Sequence, residues 1–131
     1  MGEVILVTGG AGFIGSHLVD RLIREGYEVR VIDNFSTGRW ENLKHVENNP
    51  SVEIIRGDLK NEDDIEKAIK EVDTVFHFAA NPEVRVSTVN PRIHFEENVI
   101  ATFNLLEAMR RRGVKELVFA SSSSVYGEPE E

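Results

Sequence analysis

The sequence has no cysteine, which excludes disulfides and thiolate metal sites, and no metal centre is expected. Positive charge is scarce: 15 Lys and Arg against 23 Asp and Glu leave a net charge of −8. A surface of that sign repels nucleic acid and anionic lipid, so neither is an expected partner. Long apolar runs are missing as well. The first, residues 4–7, is too short for a signal peptide, and none reaches the roughly 20 residues of a membrane span. The cytoplasm is the default expectation. An anionic ligand would have to be held locally, by backbone amides or a helix end.

What is present suits one folded domain: 131 residues, 40% hydrophobic and 29% charged. Five short apolar runs alternate with helical patterns. "EVILVTGG", "YEVRVID", "SVEIIRGD", "DTVFHFAA" and "KELVFASS" read as strands. The helix opening at Phe13 places Ile14, Leu18 and Leu22 on one face, with Val19 and Ile23 beside them, and Gly26 suits its C-terminal cap. A short helical turn is expected near Glu41. Asn61 can cap a second helix whose first turn carries Asp63 and Asp64. A third helix spans about 91–112, ending on three arginines before Gly113. The charges of "NEDDIEKAIKE" and most of Arg110, Arg111 and Arg112 read as solvated faces. This alternation predicts an α/β fold, a parallel sheet with right-handed crossovers flanked by helices; among doubly wound sheets the expectation is the Rossmann-type strand order 3-2-1-4-5, incomplete at its C-terminal side.

"TGGAGFIGS" joins the first strand to the first helix and holds Gly9, Gly12 and Gly15. Three glycines at that spacing serve a tight turn, close approach of backbone to a pyrophosphate, and close helix–strand packing. No Gly-Lys-Ser/Thr follows, so a P-loop is excluded. Asp33 ends the second strand 18 residues after Gly15, near the roughly 20 expected of an acid that binds a ribose. A carboxylate there accepts from both ribose hydroxyls and repels a 2′-phosphate, which favours NAD over NADP. A plain strand-to-helix turn and a solvated Asp33 are the bland alternatives.

These residues resemble the extended short-chain dehydrogenase/reductases, in particular the nucleotide-sugar epimerase and dehydratase group, and within it the 4-epimerases of the UDP-glucose type. Six segments carry the resemblance, in order along the chain. "TGGAGFIGS" is similar to the cofactor loop, implying contacts from Gly9, Gly12, Phe13, Ile14 and Gly15. "DNFSTG" implies Asn34, Ser36 and Gly38 near the adenosine. "GDL" implies that Asp58 reads the adenine edge, with Leu59 beside it; capping a turn is its alternative. "HFAA" implies that Phe78, Ala79 and Ala80 line the cofactor, while His77 reads as structural. Asn98 falls on a cofactor-side asparagine, an unfavourable mid-helix choice that points to a buried polar contact. "SSSSVYG" implies Ser122 as the catalytic serine. Ser123 and Ser124 stand at substrate-facing positions where dehydratases carry Asp and Glu, so dehydration is disfavoured.

The resemblance implies NAD as cofactor, a nucleotide sugar (a UDP-sugar) as substrate and a homodimeric parent protein. It also implies a Tyr-x-x-x-Lys base. Tyr27 is followed four residues on by Val31, and Tyr126 by Glu130, so neither tyrosine supplies it; Tyr126 reads as structural. Residues 1–131 are therefore expected to be the N-terminal part of an NAD-binding Rossmann domain, inactive alone, with the substrate domain elsewhere and the fifth strand's apolar edge uncovered. Three readings stay open: a nucleotide-sugar 4-epimerase, another dehydratase or reductase of the family, and a non-catalytic NAD-binding module.

Overall fold

The computed structural model describes residues 3–35, 38–78, 92 and 99–119. Its strands are β1 (Val4–Thr8), β2 (Glu28–Asp33), β3 (Val52–Arg56), β4 (Thr74–His77) and β5 (Glu116–Phe119), and its helices are α1 (Phe13–Arg24), α2 (Glu62–Ile69) and α3 (Ala101–Arg112). The sheet runs β3-β2-β1-β4-β5 with every pair parallel, the predicted order. β1 is central and almost wholly buried, which explains an apolar run with no alternation.

Two cores line the two faces. Ile5, Val7, Val29 and Val31 face α1, where they meet Val19 and Leu22. Leu6, Ile32 and Val75 face the opposite side, against Ile65 and Ile69 of α2 and Leu105 and Met109 of α3. The register Leu6↔Arg30 puts Arg30 on this second face. Its guanidinium is not solvated as a strand alternation would suggest. It donates to the carbonyls of Ala68 (2.8 Å) and Lys70 (2.6 Å) at the end of α2, and to Glu53 (3.1 Å). One guanidinium nitrogen, Nη1, thereby satisfies carbonyls that a helix end leaves without partners.

Capping follows the expected residues. Asn61 Oδ1 accepts from the Asp64 amide at 3.1 Å. Gly26 (φ 94°) lies just past the α1 cap Glu25. There the Tyr27 amide reaches back to Leu22 O and the Gly26 amide to Ile23 O, a Schellman closure. Gly113 (φ 74°) ends α3 in the same way. The turn expected near Glu41 is a pair of 3-10 turns, Trp40–Asn42 and Lys44–Val46.

One expectation needs correction. Ile14 does not share the core face with Leu18 and Leu22: it is 66% exposed, and the buried face runs Gly15, Ser16, Val19, Leu22. Gly15 must face the loop, and at about 100° per residue that turns Ile14 outward. Arg111 and Arg112 lie on an exposed face, as expected. Both hold Glu66 of α2, at 2.8 and 2.9 Å, and these hydrogen bonds lower the Glu66 pKa.

Candidate dinucleotide site

The carboxyl ends of β1, β2, β3 and β4 carry the site. They flank the point where chain order reverses, between β1 and β4, the usual ligand crevice of open α/β sheets.

The glycine loop is tightly drawn. Gly9 has φ 75° and its amide donates to Ile32 O at 2.9 Å. A Cβ on Gly15 would sit 2.3 Å from Gly9 O, so this position admits glycine alone unless the backbone moves. Gly12 differs: its nearest neighbour to an added Cβ is Gly9 O at 3.4 Å, an ordinary contact. The chain's own packing does not demand glycine at 12, whereas close approach of a pyrophosphate would. Gly10, outside the spacing pattern, is demanding too, because a Cβ there would meet Val31 Cγ1 at 2.7 Å. At the start of α1, the amides of Phe13, Ile14 and Gly15 have no acceptor among the described residues. They form a ready anion site at the positive end of the helix. The side chains of Phe13 and Ile14 stand out from it, 73% and 66% exposed.

Asp33 is locked beside this loop. It is 8% exposed; Oδ2 accepts from the Ala11 amide at 2.9 Å and Oδ1 from the Phe35 amide at 2.7 Å. Each carboxylate oxygen keeps a second acceptor site, which suits a ribose diol. Ala11, which the motif leaves as a spacer, is the hub. Its carbonyl accepts from the Arg39 amide (3.0 Å) and from Asn42 Nδ2 (2.7 Å). Gly38 closes the wall: a Cβ there would lie 2.7 Å from Ala11 Cβ and 3.0 Å from Asp33 Oδ2. Asn34 is exposed next to Asp33.

After β3 the Gly57 amide donates to Asp33 O at 3.1 Å. Asp58 Oδ1 accepts from the Lys60 amide at 2.8 Å, while the Asp58 amide donates to Asp64 Oδ2 at 2.9 Å. Asp58 thus makes the local turn that was its alternative reading, and half-buried Asp64 is the residue the sequence did not single out. The Leu59 side chain is buried in the second core and its carbonyl takes Asn104 Nδ2 at 3.1 Å, so it can offer a ligand only its backbone amide.

After β4 the Phe78 amide donates to Thr8 O (2.9 Å) and Thr8 Oγ1 (3.0 Å). His77 is 2% exposed. Its Nδ1 shares a hydrogen bond with Thr8 Oγ1 (2.7 Å) and its Nε2 with Thr102 Oγ1 (2.9 Å), and its ring stacks on Phe119 at 5.3 Å. Burial without a carboxylate partner pushes its pKa down to about 4, so the ring is neutral at pH 7. It ties β1, β4, β5 and α3 together, as its structural reading expects.

Ser36, Ala79, Ala80, Asn98, Ser122, Ser123, Ser124 and Tyr126 lie outside the described residues. Among the described residues no group of three His, Asp or Glu could hold a metal, and no helix is long and apolar enough to cross a membrane.

The geometry fits a dinucleotide: free helix-start amides for the pyrophosphate, an open Gly12 and a locked Asp33 for the ribose. Comparison with known proteins points the same way. The family described as "NAD dependent epimerase/dehydratase family" matches residues 5–131. The chain is 43% identical to the bifunctional UDP-glucose 4-epimerase and UDP-xylose 4-epimerase 1 of Pisum sativum, over 98% of this chain and 39% of that protein. A crystal structure of UDP-galactose 4-epimerase superposes with a TM-score of 0.82 at 58% identity, covering 98% of this chain and 41% of the other. The NAD complex of the UDP-glucose 4-epimerase from Thermus thermophilus gives 0.81 at 46% identity, covering 90% and 37%. The chain therefore spans about two fifths of the curated relative. The chain belongs to the NAD dependent epimerase/dehydratase family, whose cofactor is NAD.

Proposed function

We propose that the protein carrying this chain is an NAD-dependent nucleotide-sugar 4-epimerase of the UDP-glucose/UDP-galactose type, and that residues 1–131 are the N-terminal part of its NAD-binding Rossmann domain. The observation that carries the cofactor reading is the Asp33 carboxylate held 2.9 Å from the Ala11 amide, which fixes a ribose acceptor against the pyrophosphate loop. In this reading Gly9, Gly12 and Gly15, with the amides of Phe13 and Ile14, hold the pyrophosphate. Asp33 accepts from the adenosine ribose, with Asn34, Ser36 and Gly38 beside it. Asp58 and the Leu59 amide meet the adenine edge. Phe78, Ala79, Ala80 and Asn98 line the cofactor further along.

Bound there, NAD would supply the acceptor for a hydride from the sugar C4 and for its return to the opposite face. Ser122 positions the 4-hydroxyl while a base takes its proton. That base is assigned to a Tyr-x-x-x-Lys pair beyond these 131 residues, so the chain by itself is proposed to be inactive. Ser123 and Ser124 cannot act as the acid that expels a hydroxyl as water, which favours epimerisation over dehydration. A homodimer is supported by the exposed apolar side of α3, where Phe103 is 62% and Leu106 44% exposed. The cytoplasm remains the proposed location.

Full-length protein incubated with UDP-glucose or UDP-galactose should interconvert the two without loss of water. A 4-keto-6-deoxy product, or none from either sugar, would overturn the epimerase reading. The second reading is an NAD-binding module without turnover. Calorimetric NAD binding by a full-length protein inert toward every nucleotide sugar would favour it.

A further inference from the structure

At the outer flank of Asp33 stands a basic side chain that the cofactor reading does not use. Arg56 is the register partner of Asp33 across β2 and β3. It follows Val52 and Ile54 on the α1 side of the sheet, the side on which the glycine loop lies. Its guanidinium rests 4.4 Å from the centre of the Phe35 ring. Phe35 takes a left-handed conformation, φ 62°, which a bulky residue rarely adopts. Its amide is bound to Asp33 Oδ1 at 2.7 Å, and its ring lies 6.2 Å from that of Trp40. The backbone is thus bent so that one residue both orients the Asp33 carboxylate and seats Arg56.

Stacking on a ring occupies the face of a guanidinium and leaves its in-plane N–H donors pointing outward. Among the described residues Arg56 has no carboxylate partner. A planar donor edge beside a ribose acceptor is matched to a phosphate, which it can bind in bidentate fashion.

We propose that Arg56, seated on Phe35, is a cofactor-specificity residue that binds the adenosine 2′-phosphate of NADP, with the Asp33 carboxylate opposing the same group. The two residues then set the NAD/NADP preference as a difference of opposed terms, and the preference is weaker than Asp33 alone would impose. The proposal rests on the assignment of Asp33 to the adenosine ribose.

The test titrates the full-length protein with NADH and with NADPH at two salt concentrations. Arg56→Ala, an exposed position where folding is safe, should weaken NADPH about tenfold relative to NADH and flatten the salt dependence of NADPH binding. Arg56→Lys keeps the charge without the planar fork and should recover only part of the loss. Asp33→Ser should tighten NADPH, and adding Arg56→Ala should remove most of that gain. If Arg56→Ala leaves the NADPH-to-NADH affinity ratio unchanged in both backgrounds while Asp33→Ser still weakens NADH, the Arg56 proposal is wrong and the ribose assignment stands. If Asp33→Ser leaves NADH affinity as it was, both fall.

Discussion

Asp33 Oδ2 and the Ala11 amide are joined at 2.9 Å, across 22 residues of sequence. This bond makes the end of β2 and the glycine loop one rigid unit, so cofactor affinity and stability should respond together when it is cut. Asp33→Ala removes a nearly buried acceptor from two amides. Hydrogen bonds to a charged group are worth ~1.5–3 kcal/mol each, so a stability loss of about 3–6 kcal/mol is expected in denaturant titrations. NAD should bind at least about tenfold more weakly, with reduced discrimination against NADP. Unchanged cofactor preference would remove Asp33 from the ribose.

Gly15 and Gly12 should separate stability from binding. A Cβ at 15 meets backbone at 2.3 Å, whereas one at 12 has ordinary contacts. Gly15→Ala should cost about 1–3 kcal/mol or more through overpacking. Gly12→Ala should fold within about 1 kcal/mol of the parent and yet lose NAD affinity, because only the pyrophosphate needs the space. Thermal melts with and without NAD read both effects. A Gly12→Ala variant that binds NAD normally would refute the placement of the pyrophosphate.

The buried His77 predicts an acid-sensitive fold. Its pKa is about 4 in the folded protein against an ordinary value of 6.5. The unfolded chain therefore binds a proton first as pH falls. This contribution is complete above pH 6.5, shrinks through the window from 6.5 to 4, and is gone below it. A gap of that size is worth about 3 kcal/mol. Denaturant midpoints at about pH 7 and about pH 4.5 should show most of this loss, and His77→Gln should flatten the slope. An equal slope in both proteins would mean that His77 is not the group responsible.

Arg30 should matter although it looks like a surface strand residue. Its side chain is 16% exposed and its Nη1 donates to two carbonyls at the end of α2. Arg30→Met leaves those carbonyls without their donor and should destabilise by roughly 2–3 kcal/mol. Both carbonyl bonds come from Nη1, so Arg30→Lys should recover part of the loss, an ammonium being able to donate to two acceptors. Amide exchange should quicken in α2 before it does in α1.

Much of the fold could be read along the chain because the relevant forces act within a few residues. Apolar β-branched runs marked β1 to β5, Asn61 capped α2, and Gly26 and Gly113 closed their helices. Strict alternation of strand and helix implied parallel crossovers. In the site, the glycine spacing and the position of Asp33 at a strand end were equally local. What escaped was each property that depends on a distant neighbour. Ile14 fits the helical period but turns outward, because Gly15 has to face Gly9. Gly10 is needed only because Val31 lies against it. Ala11 looks like a spacer until Asp33, Arg39 and Asn42 converge on it.

Local sequence was enough for the elements, their ends, their alternation and the chemistry available at one edge of the sheet. Which groups meet there was left to the packing of distant segments: Asp33 with Ala11, Asp58 with Asp64, Arg56 with Phe35, His77 with Thr8. Periodicity and capping are settled within a turn or a strand. These pairs depend instead on sheet order and register, where a slip of one residue would send every side chain of a strand to the opposite face.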